Sequence, residues 1–228
     1  AAEGLAVVQT HYNYRSVCPA ATLMRNGVVC EECINHSLLR SVRYACYRGS
    51  RVQTTALAAS IGIHRMLRTW ARCVQVFIVP TAFMKRKLAT GLPRDLIEVR
   101  PNWHDPDPGM RSNAGEKSLL FIGRLTEEKG VGVVLKTWAK NPDLPPVRIL
   151  GDGPMAVEVR AAADSDPRII PMGRQPHERV LDELRTAGAL LVPALWYEAF
   201  PHTLLEAAAS GVPILASNLG TLPDVVED

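Results

Sequence analysis

Apolar residues in the second half of the chain come as short unbroken runs separated by stripes of helical period. Residues 118–122 (SLLFI), 147–150 (VRIL), 168–172 (RIIPM), 189–193 (ALLVP) and 212–217 (VPILAS) have strand length. Between the first two, Val131, Val134, Leu135 and Trp138 recur at i, i+3, i+4 and i+7, which predicts one buried helix face. Gly123 closes the first run and the turn at 151–154 (GDGP) the second. Helices are predicted over 155–163, around Val180, Leu181 and Leu184, and from Pro201. Strands that are apolar on both faces and alternate with helices imply a parallel sheet covered on both sides, a Rossmann-like unit.

The first half repeats this grammar in fragments: 6–10 (AVVQT), 76–80 (VFIVP), a helix capped by Thr81, and 97–101 (IEVRP). A long helix over about 52–74 is predicted to bury Ile63, Met66, Leu67, Trp70 and Val74, with Arg65, Arg68 and Arg72 opposite. Cys73 falls in the same apolar run and reads as core. Residues 101–117 contain three prolines and two glycines with little periodicity, as a linker does. The predicted fold class is α/β with two Rossmann-like domains, both incomplete. Residues 1–104 form the later part of one domain, 105–116 the linker, and 117–228 a second domain that stops early.

The 228 residues are 47% hydrophobic and 21% charged, which excludes a disordered, collagenous or coiled-coil chain. No run is long enough to span a membrane, and the start (AAEGLAVVQT) lacks a signal peptide's basic and apolar regions, so a cytoplasmic setting is expected. Charge is uneven. Fifteen Lys and Arg against eight Asp and Glu give +7 over residues 1–116, while 117–228 carry −4. A basic half suits phosphates or an anionic bilayer, and the arginine face of the 52–74 helix leaves peripheral contact with the inner membrane leaflet open beside a plain solvated face. A nucleic-acid partner is not expected, because aromatic side chains do not interleave with the cations. Cys18, Cys30, Cys33 and Cys46, with gaps of eleven, two and twelve, supply four thiolates for a structural zinc; packing as small apolar residues is the alternative.

Chemistry concentrates at the predicted carboxyl ends of strands. Arg124 and Lys129 lie in the loop after the first strand of the second domain, where open α/β sheets bind ligands, and two cations there suit a diphosphate. Glu198 lies in a later loop and Glu206 on the helix starting near Pro201, whose first amides, from Phe200 through His202 to Thr203, favour an anion. Taken singly, the cations read as solvated and Glu206 as a surface residue.

Together, GRLTEEKG (123–130), ILGDGP (149–154) and WYEAFPHTLLEAAASGVPILAS (196–217) resemble the donor-binding domain of family 4 retaining glycosyltransferases, the "group 1" class with two facing Rossmann-like domains (GT-B). Residues 9–34, CYRGSR (46–51) and GLPRDLIEVRPNW (91–103) are similar to the later part of that family's acceptor domain. The resemblance implies transfer of a sugar from a nucleoside-diphosphate sugar to a glycan or lipid-linked acceptor, with retention and with no cofactor or metal needed for catalysis. It implies that Gly123, Arg124 and Lys129, with Phe200, Pro201, His202 and Thr203, hold the donor diphosphate. Glu198 then meets the transferred sugar and Glu206 the ribose. Relatives carry T-x-H-N-Y-R after the first strand, whereas here Thr10-His11-Tyr12-Asn13-Tyr14-Arg15 puts histidine one place early, so His11 and Tyr12 compete for the sugar-pocket position. A non-catalytic nucleotide-sugar binding module and a sugar epimerase of the same fold are the alternatives.

Overall fold

The computed structural model describes residues 5–103, 107–111 and 118–226. Much of the expected linker, 104–106 and 112–117, therefore lies outside the described residues, as do 1–4, 227 and 228. The chain divides into two compact units, one of Ala1–Asn102 with Trp196–Phe200, the other of Trp103–Leu195 with Pro201–Asp228.

In the first unit, β1 (Val8–Thr10) is followed by a hairpin of β2 (Met24–Arg25) and β3 (Val28–Val29). Then come α1 (Glu32–Asn35), α2 (Leu39–Arg43), α3 (Arg51–Met66), α4 (Thr69–Cys73), β4 (Val76–Val79), α5 (Ala82–Leu88) and β5 (Ile97–Val99). The three longer strands make a parallel sheet in the order β1-β4-β5, with Val8 opposite Val76 and Phe77 opposite Ile97. Phe77, Val79, Met84, Leu88 and Ile97 form its core with Tyr14, Val17 and Leu23. Thr81 caps α5 by accepting the Met84 amide hydrogen at 3.2 Å.

The 52–74 stretch differs from expectation. α3 ends at Met66, Arg68 adopts a left-handed φ of 52°, and a separate short α4 follows. α3 buries Thr54, Ala58 and Ile61, while Ile63, Met66 and Leu67 face solvent. Arg65, expected on the solvated face, turns inward and donates from Nη2 to the Ser16 carbonyl at 3.0 Å. Of the predicted stripe, Val74 is buried in the core and Trp70 packs against it, so the part beyond the break keeps its inward face, while Cys73 is exposed rather than buried.

The second unit runs β6 (Leu119–Ile122), α6 (Val131–Lys140), β7 (Val147–Leu150), α7 (Ala156–Ser165), β8 (Ile169–Gly173), α8 (His177–Thr186), β9 (Ala189–Val192), α9 (His202–Ala209), β10 (Ile214–Ala216) and α10 (Leu222–Val225). Its five parallel strands are ordered β10-β9-β6-β7-β8. The order reverses at β6, which creates a crevice at the carboxyl end of that strand. Phe121, Val131, Val134, Trp138, Val147 and Ile149 pack α6 onto the sheet. Arg148 is a buried cation in the middle of β7. It is neutralised by Glu183 of α8, whose carboxylate and carbonyl it contacts, and Thr186 Oγ1 accepts a further hydrogen at 3.1 Å. Residues 107–111 of the expected linker attach to this unit: the Arg111 amide donates to Ser210 at 2.8 Å, and Arg185 Nη1 donates to the Pro108 carbonyl at 2.8 Å.

Candidate functional site

In the second unit, the loops that follow β6, β7 and β9 are bound to one another. Gly123 donates its amide hydrogen to Leu150 at 3.0 Å, Leu125 to Asp152 at 3.0 Å, and Leu195 to Glu128 at 2.9 Å. Two glycines make these approaches possible. Gly130 adopts a φ of +78°, and a Cβ there would lie 1.8 Å from the Pro193 carbonyl oxygen; a Cβ on Gly151 would lie 1.8 Å from the Gly123 oxygen. Arg124 therefore stands on a braced loop. It lines a cavity of about 350 Å³ with Gly123, Gly151, Asp152, Arg174 and Gln175. Arg174 and Gln175 were not anticipated; their position just after β8 was the available signal. Lys129 closes the 3-10 turn Glu127–Lys129 of the same loop.

Pro201 is the N-cap of α9 with an extended ψ of 126°, one place before the first helical residue, His202, and Thr203 follows in the first turn. Glu206 is on the same helix and is 5% exposed, so it is no surface glutamate. His177 Nε2 at the start of α8 approaches its Oε1 at 3.9 Å. The second unit thus brings together the β6 loop with Arg124 and Lys129, and separately α8 with α9.

Glu198 belongs to the first unit with Trp196, Tyr197 and Phe200. It is 5% exposed and accepts a hydrogen bond from Trp196 Nε1 at 2.8 Å. Two anchors hold this segment. Tyr12 Oη donates to Asn102 Oδ1 at 2.7 Å, and Asn102 Nδ2 donates to the Phe200 carbonyl at 3.4 Å. On the other side, Tyr197 Oη donates to Glu31 Oε1 at 2.8 Å, and Lys87 forms an ion pair with the same carboxylate. The Tyr197 ring meets Phe83 edge-on at 4.7 Å and Tyr14 at 6.3 Å. Burial, with help from the hydrogen bond and charge of Glu31, pushes the Tyr197 phenol up to about 12, so it remains a donor at neutral pH. The Tyr197–Glu31 bond spans 166 positions, and nothing local in the sequence signals it.

His11 follows β1 and donates its amide hydrogen to Ile78 at 2.8 Å. Its ring is buried 5.6 Å from Phe77, and its Nε2 has no hydrogen-bond partner among the described residues. Burial lowers its pKa, which keeps the imidazole neutral. It lines a cavity of about 330 Å³ with Arg15, Ser60, Ile61, His64 and Trp70. Tyr12 borders the same cavity, but it is exposed and committed to Asn102. Of the two candidates, His11 is the buried one.

All four cysteines considered for zinc are free thiols in the first unit. Burial first, then the nearby Cys18 and Cys46, push the Cys33 thiol up to about 11; burial, Cys18 and Cys30 raise Cys46. Each of the four is therefore within electrostatic range of at least one other. Among the described residues, however, no three His, Cys, Asp or Glu side chains are already arranged to hold a metal ion. No described helix is long and apolar enough to cross a membrane.

Comparison with known proteins accounts for this architecture. The structure of Anabaena Alr3699/HepE in complex with UDP superposes with a TM-score of 0.68 at 14% identity, covering 98% of this chain and 56% of that one. The shared fold is GT-B, α/β with parallel sheets flanked by helices. In sequence, the D-inositol 3-phosphate glycosyltransferase of Nocardia farcinica is 32% identical over 162 residues, which is 60% of this chain and 36% of that protein. The 2-deoxystreptamine N-acetyl-D-glucosaminyltransferase of Niallia circulans is 36% identical over 120 residues, 49% of this chain and 30% of that protein. The chain thus spans about a third of the length of these relatives. Residues 108–228, more than half of the chain, match the family model for glycosyl transferases group 1, and the protein belongs to that family.

Proposed function

We propose that the protein transfers a sugar from a nucleoside-diphosphate sugar to a glycan or lipid-linked acceptor, with retention of configuration and without a catalytic metal. Residues 1–104 serve the acceptor side and 117–228 the donor side. The observation that carries this is the braced loop after β6, which presents Arg124 in a cavity at the sheet's carboxyl edge, where a diphosphate accumulates charge as it leaves. Lys129 adds a second cation. Gly123 allows close approach of the diphosphate, Pro201 starts the turn of α9 from which the His202 and Thr203 amides are offered to it, and buried Glu206 binds ribose hydroxyls. Buried Glu198, with Phe200 beside it, and neutral His11 contact the sugar. UDP in the HepE complex and the inositol phosphate in the name of the Nocardia relative support a nucleotide donor and a hydroxylated acceptor. Solvent-facing Ile63, Met66 and Leu67 beside Arg68 and Arg72 support a cytoplasmic protein that touches an anionic leaflet.

Thermal melts of the protein with a panel of nucleotide sugars test the donor. A matching donor at about a hundred times its Kd adds about 2.7 kcal/mol of stability. Replacing Arg124 and Lys129 together by alanine is expected to abolish that gain. Each single replacement should slow release of nucleoside diphosphate by tens to hundreds of fold, from the ~2 to 3 kcal/mol of a charge-assisted contact. Equal shifts in wild type and double variant would refute the site, and donor binding with no release of nucleoside diphosphate would make the protein a binding module.

A further inference from the structure

Residues 24–53 are thirty consecutive positions in which Ser41 alone is buried. Their regular pieces are two to five residues long, β2, β3, α1 and α2, followed by the start of α3. Six non-glycine residues with positive φ occur among the described residues, and five of them, Ala21, Leu23, Asn26, Ala45 and Arg48, fall in or just before this stretch. Such conformations cost energy and persist only where the surroundings over-determine them. Apolar burial within the stretch does not supply that constraint, and small segments without a core are normally stapled by disulfides or metal.

Four thiols gather here. Cys33 lies in electrostatic range of Cys18 and Cys46, and Cys46 in range of Cys18 and Cys30. Backbone hydrogen bonds fix three of them: the amides of Cys18, Cys30 and Cys46 donate to Tyr14 at 2.8 Å, Leu23 at 2.7 Å and Ser41 at 3.1 Å. Cys33 is hydrogen-bonded to Ser41. The Asn26-Gly27 turn, positive in φ at both residues, folds the β2–β3 hairpin and delivers Cys30-x-x-Cys33 immediately after it. Arg25 on that hairpin lies in range of Cys30 and Cys46, and its Nη1 is buried with no hydrogen-bond partner among the described residues.

We propose that Cys18, Cys30, Cys33 and Cys46 bind one zinc ion as a closed four-thiolate structural site. As neutral thiols they have no attraction to draw the sulfurs to the roughly 2.3 Å metal–sulfur distance, and side-chain rotation on a fixed backbone closes the set when the cation arrives. Each thiol gives up its proton, so four thiols and Zn²⁺ become a zinc tetrathiolate of net charge −2 and four protons enter solution. The Arg25 guanidinium, which also lies over the Tyr44 ring at 3.7 Å, offsets part of that charge. The ion fixes Glu31, which lies between Cys30 and Cys33 and anchors Tyr197 next to Glu198.

The test is metal analysis of the reduced, purified protein. About one equivalent of zinc per chain is expected, lost in Cys30→Ser/Cys33→Ser and kept in Cys73→Ser, whose thiol is exposed. Should the double variant not fold, the wild-type protein is stripped of metal by a chelator and Co²⁺ is added to the reduced apo form. Tetrahedral thiolate absorption and uptake of about one ion, with release of up to about four protons, supports the site. Iron in place of zinc, or no uptake of either zinc or cobalt, overturns it. No donor, acceptor or turnover enters these readouts, so their failure leaves the transfer chemistry untouched.

Discussion

Removing the Tyr197 hydroxyl isolates a single bond between the loop that carries Glu198 and the turn between Cys30 and Cys33. Tyr197→Phe retains the ring, and with it the edge contacts to Phe83 at 4.7 Å and Tyr14 at 6.3 Å, but deletes the 2.8 Å donation to Glu31. Hydrogen bonds to a charged partner contribute about 1.5 to 3 kcal/mol. The Glu31 side chain is 21% exposed and keeps its Lys87 ion pair, so the lower figure applies, about 1.5 kcal/mol or roughly tenfold in the folding equilibrium. Urea unfolding followed by circular dichroism measures it. The pH dependence has a definite sign. Burial alone would raise the Glu31 pKa, but hydrogen bonds from Lys87 and Tyr197 outweigh it and hold the carboxyl below its ordinary 4.5. Stability from the bond is therefore complete above 4.5 and lost as pH falls through the lowered folded value, so wild type and variant should converge in acid. A difference under about 0.3 kcal/mol at neutral pH, or strict additivity with Glu31→Ala in a double-mutant cycle, would refute the bond's role.

Glu198→Gln should depress turnover while leaving affinity for free nucleoside diphosphate nearly unchanged, and Glu206→Gln should weaken donor and free nucleotide alike; equal loss of nucleotide affinity in both would end the division of roles. The His11 imidazole should titrate below 6.5 by NMR, and its contribution to stability should be present above 6.5 and lost as pH falls through the lowered folded value; a midpoint at or above 6.5 would contradict its burial.

How much was legible in the sequence depends on whether the relevant contact was local. The strand-helix alternation of the second unit could be read because the sheet buries both faces, and apolar runs such as LLFI of β6 record that directly. The break after Met66 could not, since a left-handed Arg68 carries no side-chain signal and the helical period continues across it. Arg148 inside an apolar strand was equally opaque, because the partner that makes its burial tolerable, Glu183, stands 35 positions away on a helix that reads as polar. The candidate site divides the same way. Arg124, Lys129 and Glu206 lie in motifs with local logic, whereas Asn102 and Glu31 matter only through contacts 98 and 166 positions along the chain.

Apart from those on α9, the groups proposed for chemistry sit on loops, and the two units order these loops differently. In the second unit the β6 loop is held by amide-to-carbonyl bonds from its neighbours on both sides, and the glycines at 130 and 151 permit separations that any Cβ would forbid. Such a loop needs no ligand to become ordered, so donors aimed at a developing charge incur little reorganisation when that charge appears. In the first unit the constraint comes from side chains instead: Asn102 and Glu31 grip the Glu198 segment from two directions. Backbone bracing tolerates most side-chain changes except at glycine, while side-chain bracing fails one residue at a time. Substitutions near Glu198 should therefore be felt at positions such as Glu31, which carries no motif of its own, and substitutions around Arg124 chiefly at Gly130 and Gly151.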